Sequence, residues 1–542
     1  MSALLDIADY FGIRRAPLAF AAVSTAARVA SEEHNRTGLG GSSWTTAEEC
    51  PVNHFRVSIG WQEFLDGRVR RVDLSAKEWE NTGDSPWEKV LPSVWWWEKS
   101  AALGPLLLLG SVGQWEWPLE QLAPVLPHVV AVVCNMKRLP TNFFAAEWRS
   151  LRVFCTQLGS PVREVSPGKG LELLECVSLL WSRKKADLSF LRHCPNLRDL
   201  EVEHVDDASV LTDIGKTLRR LRCYGVSPAA VHTWLPSCTG LRRLGLSWTV
   251  EAAVLADCLR PLKELEDVDC SCVTLTNVDE ASARLLGEAL SSLPLTVFQP
   301  GRTFGDCLPY LHSPTAREIN FYEVKLTDLH VVEHFPAAED LSLCLPDTTA
   351  DLLPLLSLVH LKKLLLLEGA MRDVSCLAAC QGLVSLHLGY MSDVAEESLH
   401  FIADLPLLKR LVLEIDLSSL SFLESCPSLE SVGLTSGLDS IAPLARIPTL
   451  RKVSLIGGTC DLEGIQGAPW TSLRMLFCTP PDLSPIATLP QLKELSLTQV
   501  EATTFDWLRG CTRLEKFTFG GETTYFDPSI LDELPCLTER YC

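Results

Sequence analysis

The amino-acid sequence predicts an α/β solenoid, in which short parallel strands stack on one side and short helices or 3₁₀ turns return on the other. Two observations lead to this prediction: a six-residue apolar pattern recurs along most of the chain, and its spacing is nearly constant. A chain of 542 residues is also too long for one ordinary globular core, so several domains or a repeat array are expected.

The repeated unit is apolar-x-x-apolar-x-apolar, as at 361–366 and 408–413. From Leu106 to Leu514, 18 steps cover 408 residues, a mean of about 23 residues, so residues 104–542 are assigned to a solenoid of about 19 degenerate repeats. The single long step, from Leu265 to Leu295, predicts a longer return segment there. Copies begin at Leu106, Val130, Leu151, Leu171, Leu197, Leu218, Leu241, Leu265, Leu295, Ala316, Ala338, Leu361, Leu383, Leu408, Leu429, Leu450, Leu473, Leu492, Leu514 and, truncated, Leu537.

The spacing within each unit predicts which side chains form the core. Apolar residues at the fourth and sixth positions alternate along a short strand and point inward, whereas the residues between them point outward. No single unit covers its own apolar side, so neighbouring units must stack to bury it. The outward strand positions then form a continuous concave face, which is where a solenoid binds its partners.

The pattern resembles that of leucine-rich-repeat proteins, which implies a horseshoe with parallel strands on its concave face. Residues 482–497 (DLSPIATLPQLKELSL) are similar to the repeats of about 22 residues in phosphatase regulators and internalins. Residues 193–200 (HCPNLRDL) resemble the cysteine-containing repeats of F-box/leucine-rich-repeat ubiquitin-ligase receptors, and the same cysteine recurs at Cys238, Cys380, Cys426 and Cys511. The acidic, degenerate style also resembles leucine-rich-repeat families of trypanosomatid protozoa.

One departure from the family concerns the residue after the strand. The family usually places Asn there, and its amide ties successive turns together. In this chain the position is occupied by Val205, Val226, Thr249, Met391, Gly437 or Val500. The sequence therefore predicts irregular turns and leaves the curvature open.

Residues 1–103 form a region of different composition. Ten of the 15 tryptophans lie before residue 150, and two amphipathic patterns at 4–11 and 18–29 predict helices split by Gly12 and Pro17. Two interpretations stay open. One is a helical cap that covers the first repeat. The other is an F-box-like module for a ubiquitin-ligase adaptor, because residues 4–29 resemble an F-box without its opening Leu-Pro pair.

Charge and cysteine content restrict the partners and the compartment. A net charge of −20 opposes general binding to nucleic acid or to an anionic membrane. The longest apolar runs, such as 106–109 and 129–134, are far shorter than the roughly 20 residues of a spanning helix. Asp6 and Asp9 lie where a secretory signal would be apolar. With 20 cysteines and no CxxC pair, we expect reduced thiols and an intracellular, cytoplasmic protein.

The sequence also lacks the motifs of common catalytic and metal sites. It contains no GxGxxG, HExxH or GxSxG. The HVVEH segment at 330–334 matches HxxEH by letter, but it precedes Pro336 in a return segment and has no third ligand, so turn residues are favoured over a zinc site. Cys258, Cys270 and Cys272 are interpreted as buried thiols. We therefore expect a chain that is not an enzyme and has no cofactor and no metal.

Two adjacent repeats carry a candidate binding patch. Arg220, Arg222 and Tyr224 are predicted to point outward from one strand, and Arg243 and Trp248 from the next. Arg, Tyr and Trp are enriched at interface hot spots, so on an acidic chain this patch would select an acidic segment of a protein partner. The competing interpretation is that basic residues are habitual at these repeat positions, where they serve solubility and pair with Asp and Glu of neighbouring repeats.

These observations predict a protein–protein interaction scaffold. The first hypothesis is a substrate receptor of a cullin-type ubiquitin ligase. The alternatives are a regulatory subunit of a phosphatase, a structural component of a large intracellular assembly, and a hydrolase located in the first 100 residues.

Overall fold

The computed structural model describes residues 70–73, 106–111 and most of the chain from 126 to 541, with gaps of which the longest are 159–165 and 181–187. The chain forms two compact units: Met1–Val250 with Asp257–Leu265, and Glu251–Ala256 with Glu266–Cys542. We call them the first and the second unit. Among the helices described, none is both long and apolar enough to span a bilayer.

The first unit contains a parallel sheet whose strands follow chain order, each paired with the next. Its strands are β1 (Arg70–Asp73), β2 (Leu106–Ser111), β3 (Val129–Met136), β4 (Val153–Leu158), β5 (Cys176–Leu180), β6 (Asp199–Glu203), β7 (Arg220–Tyr224) and β8 (Arg243–Ser247). Strand β1 lies within the region predicted to be a cap or an F-box-like module. The rest of residues 1–103 lies outside the described residues, and both interpretations stay predictions.

The second unit repeats this arrangement. A short strand β9 (Thr249–Glu251) precedes it, and β11 (Thr274–Thr276) lies beside the series. The parallel strands are β10 (Asp267–Asp269), β12 (Val297–Gln299), β13 (Glu318–Phe321), β14 (Asp340–Cys344), β15 (Lys363–Leu367), β16 (Ser385–Gly389), β17 (Arg410–Glu414), β18 (Ser431–Thr435), β19 (Lys452–Ile456), β20 (Ser472–Leu476), β21 (Glu494–Thr498), β22 (Lys516–Gly520) and β23 (Glu539–Tyr541). Strand β10 pairs with β12, and β12 to β23 pair in succession.

Short helices return the chain from one strand to the next. Most are 3₁₀ turns, such as Ser421–Ser425 and Ser484–Thr488. The longest α-helix described, Glu280–Ser291, fills the long step after Leu265, as predicted, and Asp279 caps its N-terminus. The other α-helices are Lys169–Glu172, Val210–Ile214, Val231–Trp234, Ala252–Leu259 and Ala442–Ala445. Further 3₁₀ turns are Leu126–His128, Phe143–Ala145, Ser189–His193, Leu235–Ser237, Arg302–Tyr310, Leu329–His334, Leu353–Ser357, Ser375–Ala379, Glu396–Asp404, Asp506–Gly510 and Pro528–Glu533.

The core lies between the strands and the return segments, and the predicted α/β solenoid is confirmed. Inward strand residues such as Leu411 and Leu413 are fully buried. The copies predicted to begin at Leu106 and Val130 are one residue out of register, because Leu107 and Ala131 align with Val153, the third residue of the copy that begins at Leu151. Two further degenerate repeats were predicted three residues out of register. Their patterns begin at Leu174 and Trp470, both fully buried, and not at Leu171 and Leu473. In both cases the residue three positions away is also apolar, so the pattern alone fits either register.

Main-chain hydrogen bonds tie successive repeats together at the start of each strand. The carbonyl of Glu339 accepts from the amides of Lys362 at 2.8 Å and Lys363 at 2.9 Å. In the first unit, the carbonyl of Arg198 accepts in the same way from Arg219 at 2.7 Å and Arg220 at 3.0 Å. Such shared acceptors recur through both units and do not depend on a side-chain amide.

At the other end of several strands, one residue adopts the left-handed conformation and donates its amide to the next strand. Tyr390 (φ 53°) donates to the carbonyl of Glu414 at 2.9 Å, and Phe477 (φ 55°) donates to that of Thr498 at 2.9 Å. Gly225 and Gly457 take the same role after β7 and β19. These backbone contacts connect the turns at which the family's Asn was expected.

Candidate protein-binding surface

The predicted patch lies on the solvent side of β7 and β8 in the first unit. Arg220 is opposite Arg243 in the register of the two strands, and Tyr224 is opposite Ser247. Arg243 is exposed, whereas Arg220 and Tyr224 are half-buried. Within the described part of the chain, neither Arg220 nor Arg243 forms an ion pair. Three of the five predicted residues therefore share one accessible surface.

Arg222 occupies an outward position but is not available to a partner. Only 7% of the residue is exposed, and its Nη1 atom lies 3.9 Å from Oε1 of the buried Glu201 on β6. The hydroxyl of Ser178 on β5 donates to Oε2 of Glu201 at 3.1 Å. Burial raises the pKa of Glu201 above its ordinary value, and the charge of Arg222 partly opposes this increase. The three side chains form a buried polar row across three strands.

A glycine creates the space in which Arg222 lies. Gly245 is opposite Arg222 on β8, and a Cβ atom added there would be only 2.9 Å from Cγ of Arg222. The arginine stem therefore lies flat over the glycine. The sequence prediction missed both Glu201 and Gly245, although each holds the outward position equivalent to Arg222 in an adjacent repeat.

Trp248 is buried, which corrects the prediction that it projects from the surface. It is 7% exposed and packs edge-on against Trp234, with ring centroids 6.1 Å apart. The physical reason is the alternation of the strand: Trp248 has the same parity as Leu244 and Leu246, which point inward, so it continues the buried side of β8.

The neighbouring strand places acids beside the basic residues. Asp199, Glu201 and Glu203 of β6 are opposite Arg220, Arg222 and Tyr224 of β7. Burial raises the pKa of Asp199, and the charges of Arg220 and Arg243 oppose that increase. The acids of β6 therefore offset part of the positive charge of β7 and β8. The positive charge that stays accessible to solvent is centred on Arg220 and Arg243.

In the second unit, many basic side chains pair with acids of a neighbouring repeat, as the competing interpretation expected. The Nζ atom of Lys362 lies 2.6 Å from Glu339, and that of Lys409 lies 2.8 Å from Glu430. Hydrogen bonds from these lysines lower the pKa of both glutamates. Exposed pairs of this kind contribute little to stability, so they serve mainly to balance charge.

Of the three cysteines interpreted as buried thiols, Cys258 and Cys270 are buried, whereas Cys272 is exposed, which corrects the prediction for that residue. Burial raises the pKa of the Cys194 and Cys238 thiols to about 12, and the described cysteines are free thiols. The histidine candidates lie in a return segment. In the HVVEH segment, His330 contacts Glu333 at 3.1 Å, while the ring of His334 packs near His312. The described residues include no group of three His, Cys, Asp or Glu side chains placed to hold a metal ion.

Comparisons with known proteins concern the fold. No family model matches the chain, and no curated protein matches it. A leucine-rich-repeat protein of Leptospira interrogans is 15% identical, covering 70% of this chain and 95% of that one, with a TM-score of 0.42. Internalin C2 of Listeria monocytogenes is 22% identical over 31% of this chain and 74% of its own, with a TM-score of 0.26. The plant peptide hormone receptor RGFR1, solved with RGF2, is 14% identical over 82% of each chain, with a TM-score of 0.30.

The architecture is established by the parallel strands, the 3₁₀ return segments and the repeated six-residue pattern. Each unit is a leucine-rich-repeat solenoid. In this fold the outward strand residues stand on a rigid backbone, and their side chains are free to differ from repeat to repeat.

Proposed function

We propose that this protein is a non-catalytic scaffold that binds a protein partner on the solvent side of its strands. The observation that supports this role most directly is the adjacent pair Arg220 and Arg243, which stand side by side without an ion-pair partner among the described residues. Tyr224 lies at the end of the same strand. Two unpaired guanidinium groups on an otherwise acidic chain favour an acidic segment.

The dimensions suit a single peptide. Parallel strands lie about 4.8 Å apart, so the two arginines and Tyr224 cover an area that one extended acidic segment can contact. Arg222 is not assigned to the partner because its charge is used within the sheet. Its role is to hold Glu201 and to give the patch a fixed floor.

The test reverses the two accessible charges. Arg220→Glu combined with Arg243→Glu should abolish capture of the main acidic partner in affinity purification with quantitative mass spectrometry. The matched control is Arg410→Glu with Lys452→Glu, because both residues are exposed, open their strands as Arg220 and Arg243 do, and give the same change in net charge.

Salt provides a second measurement on the same interaction. Capture by the wild-type protein should weaken as ionic strength rises, because exposed charges are screened over roughly 10 Å at 0.1 M salt. If the folded double variant captures the same partners with the same salt dependence as the control, the patch is ordinary surface and the proposal is rejected.

A finer role, as substrate receptor of a cullin-type ubiquitin ligase, is proposed from sequence resemblance. It is supported by the cysteine-containing repeats and by residues 4–29, which lie outside the described part of the chain. Recovery of a cullin and its adaptor with the full chain would select this role. Recovery of a phosphatase catalytic subunit would select the regulatory-subunit alternative instead.

A further inference from the structure

A buried carboxylate lies on the solvent side of the second unit. Glu414, the last residue of β17, is 5% exposed, and neither carboxylate oxygen accepts a hydrogen bond of normal geometry from a described residue. Its nearest basic group is His387 on β16, whose Nε2 atom lies 3.4 Å from Oε1 and is charged only when protonated. A buried carboxylate without a permanent counter-charge is costly, so its negative charge can stabilise a further cation.

The carboxylate lies close to an exposed aromatic residue. Gly389 is opposite Glu414, and a Cβ atom added to it would be 2.7 Å from Oε2, so the Glu414 side chain lies across this glycine. Tyr390 follows Gly389 and is 61% exposed. Burial raises the pKa of the Tyr390 hydroxyl, and the nearby Glu414 and Tyr322 raise it further. The carboxylate and the ring therefore belong to one local environment.

The backbone conformation of Tyr390 does not require an aromatic side chain at this position. Its φ of 53° is in the left-handed region, which disfavours side chains with a Cβ atom. Gly225 and Gly457 make the same amide bond at equivalent positions without that strain. A strained, exposed tyrosine buries little area in return. Glu368 and Phe477 take the same conformation and make the same kind of amide bond to the next strand, so the link between repeats tolerates the ring of Tyr390 without requiring it.

The surrounding edge is acidic and aromatic. Tyr322, after β13, is 42% exposed, and Glu368, after β15, is exposed and also left-handed. Asp416, after β17, is exposed as well. In the two positions that follow each of β13 to β17, the residues that the structure describes include no Lys or Arg. This edge therefore has the opposite charge to the patch on the first unit.

We propose that this edge binds a guanidinium or ammonium side chain from a basic segment of a protein partner. Tyr390 is the platform on which the cation lies, and the nearby Glu414 supplies negative charge. Glu368, after β15, and Asp416, after β17, lie on either side of Tyr390. A cation over a tyrosine ring, within about 6 Å of its centre, is held more strongly when the site is partly desolvated. The site is distinct from the Arg220 and Arg243 patch, and neither proposal depends on the other.

The conformation of Tyr390 gives an unusually clean variant. Tyr390→Gly removes the ring and relieves the left-handed strain, so the protein should remain folded with an unchanged or higher melting temperature. Phe477→Gly is the matched control. Phe477 is 57% exposed and left-handed with the same amide bond, but it follows β20, away from Glu414. Both variants lose an exposed aromatic ring and gain the same backbone freedom.

The binding measurement uses a fluorescently labelled hexa-arginine peptide, with hexaglutamate as the counter-probe. Tyr390→Gly and, separately, Glu414→Gln should weaken hexa-arginine binding about tenfold, whereas Phe477→Gly should stay within about twofold of wild type. Equal affinity in wild type, Tyr390→Gly and Glu414→Gln would overturn the proposal. An equal loss in Phe477→Gly would also overturn it, because recognition would then be general to exposed aromatic rings.

Discussion

Among the residues that the structure describes, two carboxylates are buried on the solvent side of the strands, one in each unit, and their surroundings differ. Glu201 has a permanently charged partner, Arg222, and a hydrogen bond from Ser178. Glu414 has only His387, which is charged only when protonated. In both places a glycine on the adjacent strand, Gly245 or Gly389, leaves room for a long side chain to lie flat.

Burial alone therefore does not mark a binding residue on this surface. At β6–β8 the space over the glycine holds Arg222, which is paired with Glu201. At β16–β17 the space over the glycine holds Glu414, whose charge is incompletely compensated. What distinguishes the two is whether the neighbouring repeat supplies a fixed opposite charge. In the first unit the charge of Arg222 partly offsets the burial of Glu201, whereas in the second unit the only ion-pair partner described for Glu414 is His387.

The largest loss of stability is expected where a buried charge has no counter-charge at all. Leu411→Asp places a carboxylate in the fully buried core of the second unit and should lower the free energy of unfolding by about 4 kcal/mol or more. Arg410→Asp, on the exposed side of the same strand, should change it little. Urea unfolding of the two variants measures the difference, and similar curves would contradict the assigned strand orientation.

Removing the permanent counter-charge should produce the next largest effect. Arg222→Met leaves Glu201 buried without its partner and should cost about 3 kcal/mol. Most of this loss should be recovered in the double variant with Glu201→Gln. By contrast, Glu414→Gln in the second unit should be nearly neutral. A double-mutant cycle by chemical denaturation tests this, and a large cost for Glu414→Gln would erase the distinction between the two sites.

Filling the glycine spaces should have an intermediate effect. In Gly245→Ala the new methyl group would meet Arg222, and in Gly389→Ala it would meet Glu414 and Leu367, so each should cost about 1–2 kcal/mol. The cost of Gly245→Ala should largely disappear when Arg222 is also Ala. Equal costs in both backgrounds would show that the arginine stem does not occupy this space.

The smallest effect expected is a difference in pH dependence. The pKa of Glu201 is higher in the folded protein than its ordinary value, so the folded state binds the proton more readily than the unfolded state. This group therefore favours the fold more as pH falls toward the unfolded pKa, and the contribution is lost as pH rises through the folded pKa. Between about pH 7 and pH 5, wild type should gain stability relative to Glu201→Gln. An opposite slope would mean that Arg222 outweighs burial.

The features that could be predicted from the sequence are those that depend on residues close together in the chain. The six-residue unit predicts its own strand, since the alternation of Leu364 and Leu366 is contained within a few residues. The extra length of the return segment after Leu265 follows likewise from the spacing of two leucines. Arg222 could not be placed in this way. Its burial depends on Glu201 and Gly245, which are remote in sequence and adjacent only after the repeats stack.

The Tyr390 site escaped prediction for a related reason. Left-handed residues are usually recognised by glycine, and here Tyr390 and Glu368 take that conformation after their strands. Nothing in the local sequence distinguishes Tyr390 from an ordinary exposed tyrosine. The relevant comparison is with Gly225 and Gly457, and it requires the register that only the folded chain provides.

The shared carbonyl acceptors at the strand starts bear on how such a chain can diverge. Because the carbonyl of Glu339 and the amides of Lys362 and Lys363 are main-chain groups, almost any substitution at these positions leaves the link intact. Proline at either amide position is the exception, since it has no N–H to donate. The alignment of one repeat on the next therefore does not depend on which side chains occupy these positions. Residues at the consensus positions can be substituted, and whole repeats can be duplicated, while the backbone geometry that presents the binding residues stays the same.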